Sequence, residues 1–368
     1  MADETFNSDY ETNNVSNQET DEEKLEKLHF KKVLEVFLFY KEFTIRRVTK
    51  VQSYFNQIPS HHRDMLPDFS KHIKEVRRCI DVNQEFLQNV VQCTEGMFEN
   101  REAQCNGDSE EPLHCLPPIT GFDMDKINTT LKQFVRDWGE EVRRSCVLIL
   151  CATLHTTTYY CSVCLSYNML HGKCERDACY TPIIEEIRQL FPPSNISSKD
   201  VSILIPGAGL GRLMFEIAKL GYKCQGNEWS LYMLFASHYI LNRSSGVHDS
   251  VIHPYVSQWC NVKASADQVR PIRIPDIDPR DIEPGTEFSM AAGNFLDVYS
   301  DNNYWDCIAT CFFIDTGHNV IAYIEHIWDI LKPGGYWINL GEINIYNYCD
   351  YRPWNYTINE RLLMVVIL

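Results

Sequence analysis

The segment Ile203-Leu204-Ile205-Pro206-Gly207-Ala208-Gly209-Leu210-Gly211-Arg212-Leu213 constrains the fold of this chain more than any other. An apolar run enters three glycines spaced two apart, Gly207, Gly209 and Gly211, and Met214-Phe215-Glu216 then opens a helix. Glycine is required because only a residue without Cβ takes the positive φ of so tight a strand-to-helix turn, and because a ligand can rest against bare backbone there. A dinucleotide turn reads G-x-G-x-x-G and would place glycine at 212. Arg212 stands there instead, which argues against a pyrophosphate ligand.

Further stations follow in order. After a helix to about Leu220, the strand Tyr222–Asn227 ends in Glu228, an acid placed to accept from both hydroxyls of a ribose. Ala292-Gly293-Asn294-Phe295 offers a polar side chain and a ring for an adenine edge and face. The strand Trp305–Cys311 leads to Phe312-Phe313-Ile314-Asp315, and the helix Val320–Leu331 leads through Lys332-Pro333-Gly334-Gly335 to the strand Tyr336–Leu340. This series resembles the class I S-adenosylmethionine-dependent methyltransferases. The expected fold is α/β, a Rossmann-like sheet preceded by an α-helical N-terminal region.

With 368 residues, 44% of them hydrophobic, the chain can bury a large core. Its formal charge of -16 disfavours nucleic acid and anionic membrane surfaces as partners. Met1–Lys24 holds eight acidic residues and one lysine without an apolar run, so it reads as a disordered tail and not as a targeting peptide. Cytosol or nucleus is the expected location, and the 15 cysteines then read as reduced thiols. Leu25, Leu28, Val33, Val36, Phe37, Tyr40, Phe43 and Val48, and later Phe69, Ile73, Val76, Ile80, Phe86, Leu87 and Val90, recur at helical spacing. Pro59 and Pro67 separate these two helices, and the acidic stretch Glu99–Glu111 reads as a linker. His61 and His62 lack a supporting constellation and read as solvated.

Continuous strings narrow the family. Ile119–Lys126, Val135-Arg136-Asp137-Trp138, Glu175–Tyr180, Gly226–Ser230, Ser265–Pro271 and Cys311–Thr316 closely resemble the carnosine N-methyltransferase family, from about Glu22 to Gly341. The resemblance implies methyl transfer from S-adenosyl-L-methionine to the imidazole of the dipeptide carnosine, giving anserine. It implies a cofactor site of Gln133, Arg136, Gly207, Glu228, Asn294, Phe295 and Cys311, with Gly209 and Gly211 completing the turn; no metal site is expected from the residues. The family carries aspartate where this chain has Asn294, so that contact is expected to weaken. Asp315, just past the fourth strand, is the candidate for carnosine and for catalysis. Its carboxylate would fix the imidazole tautomer and stabilise the cation that methylation creates.

Two segments depart from the family pattern. Val142–Leu170 is extra, with no Asp, Glu, Lys or Arg between Ser145 and Leu170. It is long enough for a membrane span but diluted by polar residues. Cys161-Ser162-Val163-Cys164 could form half a zinc site with Cys174 and Cys179, and the favoured reading is translated noncoding or alternatively spliced sequence forming a loop. From Glu342 an atypical tail replaces the family's final strands, and Leu362–Leu368 is a candidate makeshift strand over the exposed sheet edge. The organisation expected is an acidic tail 1–24, a helical region 25–138, an extra segment 139–174, a Rossmann-like domain 175–341 and a tail 342–368. A methyltransferase impaired on its substrate side is expected, with no nucleic-acid or membrane partner and a homodimer left open. The alternatives are a noncatalytic cofactor- or partner-binding module and a histidine methyltransferase for other peptides.

Overall fold

A computed structural model describes residues 21–94, 97, 117–140, 172–194, 197–260, 262, 264–341 and 362–367. The linker, the extra segment Val142–Leu170 and most of the tail lie outside the described residues. Helices α1 (Asp21–Gln57), α2 (Ser60–Asp64) and α3 (Phe69–Gln92) open the fold, followed by α4 (Gly121–Trp138) and α5 (Gly172–Leu190). The boundaries differ slightly from the sequence expectation: α1 begins inside the acidic tail at Asp21, and α5 takes in the last residues assigned to the extra segment.

One face of each of α1, α3 and α4 is apolar, and these faces meet the following domain in a shared core. Val36, Phe37, Ile80, Leu87, Leu131 and Phe134 cluster with Phe215, Tyr232 and Phe235. Phe30 stands edge-on to Phe235 at 5.2 Å, and Phe86 stands edge-on to Phe134 at 5.0 Å and to Tyr239 at 5.3 Å. Burying each such aromatic contributes roughly 2–3 kcal/mol, so the helices are fastened mainly by area. Asn83 adds specificity: its amide accepts from the His253 backbone N–H at 2.7 Å and donates to the His253 carbonyl at 2.9 Å, as a neighbouring strand would. Helix α4 starts on a capping box, in which the Thr120 hydroxyl accepts from the Asp123 N–H at 3.4 Å and Asp123 Oδ2 accepts from the Thr120 N–H at 2.8 Å.

The central sheet then forms from β1 (Ser202–Pro206), helix α6 (Arg212–Ala218), β2 (Lys223–Glu228) and helix α7 (Leu231–Asn242). A side hairpin pairs β3 (Ser250–Ile252), after which comes α8 (Ser265–Gln268), antiparallel with β4 (Ile272–Ile274). Next come β5 (Phe288–Ala292), α9 (Phe295–Val298), β6 (Trp305–Cys311), α10 (Val320–Ile330), β7 (Leu331–Gly341) and β8 (Leu362–Ile367). The order is β5-β2-β1-β6-β7-β8, parallel except for β8, which runs antiparallel to β7. Ile203 and Ile205 face a core with α5 and α6, whereas Leu204 faces a core with Phe295, Ile327 and Ile330. Alternation in a sheet covered on both sides explains the continuous apolar run. The chain leaves β1 for β2 and β5 on one side and for β6 and β7 on the other. The carboxyl ends of β1 and β6 therefore flank a topological switch point, where a ligand crevice is expected. The strand expected at Leu362–Leu368 is β8, and it pairs the β7 edge from Tyr336 to Gly341. The expected Lys332-Pro333-Gly334-Gly335 connection is absorbed into β7 as an irregularity between Trp305 and Cys307 in the pairing with β6.

Candidate functional site

The glycine turn sits at the carboxyl end of β1. Gly207 has φ +68°, and a Cβ there would lie 2.6 Å from the Phe313 ring; Gly211 has φ +77° with Leu241 2.9 Å away, so both positions require glycine for conformation and for space. At Gly209 a Cβ would find only ordinary contacts, 3.9 Å from Arg136 Nη2 and from Asp137 Oδ2. The last turn of α4 thus lies directly against the glycine turn.

That turn of helix supplies several contacts. Trp138 Nε1 donates to the Leu210 carbonyl at 3.0 Å, and the Asp137 carbonyl accepts from Arg212 Nη1 at 2.7 Å and from Arg176 Nη1 at 2.9 Å. Arg212, at the position that a dinucleotide turn reserves for glycine, is 4% exposed and reaches Asp276 at 2.5 Å and the Trp138 ring face at 4.8 Å. Arg176 meets the same Asp276 at 2.6 Å. The residue that rules out a dinucleotide therefore clamps the helical region to the sheet.

Glu228 closes the tip of β2. Its carboxylate accepts from the backbone N–H of Gly209, Trp229 and Ser230 at 2.9, 2.9 and 2.8 Å. Burial pushes this carboxyl upward, while the three donors favour its charged form. Oε2 takes one of these bonds and Oε1 two, so an acceptor position remains on Oε2 for a ribose hydroxyl. The backbone of Gly293 is tied in by its N–H to the Glu228 carbonyl at 3.0 Å. Asn294 follows as the cap of α9: its amide oxygen accepts from the Leu296 N–H at 3.4 Å and its amide nitrogen donates to Asp297 at 2.7 Å.

Phe295 differs from the sequence expectation of a stacking face. Its ring is 2% exposed and stands edge-on to Phe313 at 5.4 Å and to His326 at 4.9 Å. It is a core side chain, because α10 packs its inner face against this end of the sheet. The exposed aromatic at this edge is Trp229, 76% exposed beside Glu228, which the sequence reading passed over within Gly226–Ser230.

A cleft of about 310 Å³ opens at the switch point, bounded by Arg136, Gly207, Ala208, Cys311, Phe312 and Asp315, with Glu175, Cys179 and Tyr180 on its α5 side. That volume is at the lower end for a small-molecule site. Of the sequence candidates the structure brings Arg136, Gly207, Cys311 and Asp315 to this one cleft, while Gly209 and Glu228 join it through the turn. Gln133, one turn before Arg136, is half-buried on α4 and does not border it. Asp315 is half-buried in a single helical turn, Ile314–Thr316, directly after β6. Glu175, whose carboxyl burial pushes upward, and Cys179, which shares the cleft wall with Cys311, were missed as site residues; both lie in the Glu175–Tyr180 string, where helical spacing gives no sign that they face a cleft. Among the described residues no group of His, Cys, Asp and Glu has a metal-binding arrangement. None of the described helices is long and apolar enough to cross a membrane.

Comparison with known proteins gives a consistent result. Residues 155–359 match the model of the family described as carnosine N-methyltransferase, a span that includes residues 155–170 and 342–359 of the two departing segments. A mouse protein named carnosine N-methyltransferase is 47% identical over 323 residues, covering 88% of this chain and 72% of that protein. A fission-yeast protein of the same name is 34% identical over 335 residues, covering 88% of this chain and 79% of that protein. A fruit-fly relative, carnosine N-methyltransferase unmet, is 36% identical over 345 residues, covering 89% of this chain and 68% of that protein.

Proposed function

The chain belongs to the carnosine N-methyltransferase family, and we propose that it methylates the imidazole of carnosine from S-adenosylmethionine, forming anserine. The observation that carries this reading is the shared cleft, in which the glycine turn and Arg136 border the same space as Asp315. When bound, S-adenosylmethionine supplies a methyl group on a positively charged sulfur, open to in-line displacement.

The residues present fit such a group. Arg136 offers planar donors for a carboxylate, and the buried Asp137 beside it keeps the guanidinium charged. The remaining acceptor capacity of Glu228 suits a ribose hydroxyl, and the bare backbone at Gly207 admits close approach. Asn294, already engaged with Leu296 and Asp297, contributes less than the family's aspartate would. The exposed Trp229 indole extends the same edge.

Catalysis by this chain is then mainly alignment. Asp315 accepts from the imidazole N–H distal to the reacting nitrogen, holds the tautomer whose lone pair is free, and stabilises the positive ring as it forms. Displacement leaves one proton on the ring nitrogen facing Asp315, which passes to solvent with the product. The eight free cysteines among the described residues suit a reducing compartment, cytoplasm or nucleus.

Anserine formation by the purified chain with S-adenosylmethionine and carnosine tests the reading. The unmodified chain is expected to turn over, and Asp315→Ala to lose about 100-fold or more in kcat/KM with S-adenosylhomocysteine affinity retained. Absence of anserine from the unmodified chain that still binds S-adenosylhomocysteine would reduce it to a cofactor-binding module.

A further inference from the structure

We propose that Asp137 and Tyr180 are positioning residues for the cofactor: together they hold the Arg136 guanidinium so that its remaining edge faces the cleft. This rests on the reading of Arg136 as the partner of the cofactor's carboxylate. Asp137 is fully buried, and its two oxygens take the Nε edge of the guanidinium, Oδ1 accepting from Nε at 2.8 Å and Oδ2 from Nη2 at 3.1 Å. Tyr180 reaches across from α5, donating to Asp137 Oδ1 at 3.0 Å and accepting from Arg136 Nη2 at 3.4 Å. Neither contact uses Nη1, and the Arg136 side chain remains 26% exposed where it borders the cleft.

Helix geometry does not produce this arrangement. Adjacent residues on a helix do not face each other, so the pairing of Arg136 with Asp137 depends on the tertiary contacts at the end of α4. There the Asp137 carbonyl is held by Arg176 and Arg212, and the Trp138 indole by Leu210. Those bonds turn the Asp137 side chain inward, against Gly209. A buried ion pair contributes little net stability compared with an apolar filling. Its consequence here is orientation: a long side chain that would otherwise lose rotamer freedom on meeting its ligand is already fixed.

The test compares two ligands that share the adenosine and the thioether sulfur and differ in the amino-acid end, which includes the carboxylate Arg136 would touch. S-adenosylhomocysteine carries the amino-acid carboxylate and 5′-methylthioadenosine lacks it. Calorimetric titration of the full chain is expected to show Asp137→Asn weakening S-adenosylhomocysteine by roughly 10- to 100-fold while 5′-methylthioadenosine stays within about twofold. Tyr180→Phe, which removes one hydroxyl from the clamp, is expected to give about a threefold loss with the same selectivity. In the background of Arg136→Ala, Asp137→Asn should add less than about threefold, because it acts through the missing group. Equal losses for both ligands, or losses that add fully in the double variant, would overturn the inference and leave Asp137 a structural residue. If Asp137→Asn does not fold, Tyr180→Phe decides by the same selectivity, and an unchanged affinity there overturns the proposal. If Arg136→Ala itself binds S-adenosylhomocysteine like the unmodified chain, the cofactor reading of Arg136 fails and takes this inference with it.

Discussion

On the β1 flank of the switch point Arg136, Arg176 and Arg212 each meet a carboxylate, at 2.8, 2.6 and 2.5 Å, in surroundings from which water is largely excluded. On the β6 flank Asp315 lies in a single helical turn, and α10 turns Ile321, Ile324 and Trp328 outward at 65%, 42% and 59% exposure. The first flank is held by side chains drawn from α4, α5, α6 and the segment after β4. The second is held mainly by local hydrogen bonds and by the inner face of one helix. The difference teaches that the proposed cofactor side is organised by the global fold, whereas the proposed substrate side rests on short segments. Damage to the two sides should therefore look different: loss of folding on the first, loss of turnover on the second.

Arg212→Ala should break the comparison most visibly. It removes one of the two arginines that hold Asp276 and the Asp137 carbonyl in a buried setting, and roughly 2–3 kcal/mol of stability should disappear, read as a lower urea midpoint. A loss below about 1 kcal/mol would mean that the β1 flank is not a fold-level clamp. Asp123→Asn probes the entry to α4 and should cost about 1 kcal/mol near neutral pH. Burial opposes the Asp123 charge, but the Thr120 backbone and hydroxyl and Lys32 outweigh it and hold the carboxyl below its usual value. The sign follows: this contribution is complete above the unfolded carboxyl's pKa of about 4 and is lost as pH falls through the depressed folded value. Denaturation midpoints of the two proteins should converge in acid. The smallest effect belongs to Trp328→Ala on the outer face of α10, expected within about 0.5 kcal/mol by thermal unfolding. A loss of more than about 2 kcal/mol there would show that this face is covered and would erase the contrast.

Much of the architecture was legible locally. The strand entering Gly207, Gly209 and Gly211 announced itself by turn chemistry, the acid at Glu228 by its place after the second strand, and β6 and the start of α10 by apolar runs with clear ends. Asp315 could be placed at the carboxyl edge because the order of elements sets which strand ends share an edge. Phe295 could not be read correctly, since an aromatic residue at that position serves equally as a platform or as core until α10 is seen to pack on it.

The sequence by itself determined the α/β class, the glycine turn and the strands that carry the site, because periodicity and turn residues act over a few positions. Only the tertiary structure decided which charges meet. Arg176 and Asp276 are 100 residues apart, Arg212 and Asp276 are 64 apart, and Tyr180 lies 43 from Asp137. Arginines and aspartates at such separations carry no local pattern that pairs them, and their partners are set by where packed helices bring the chain back together.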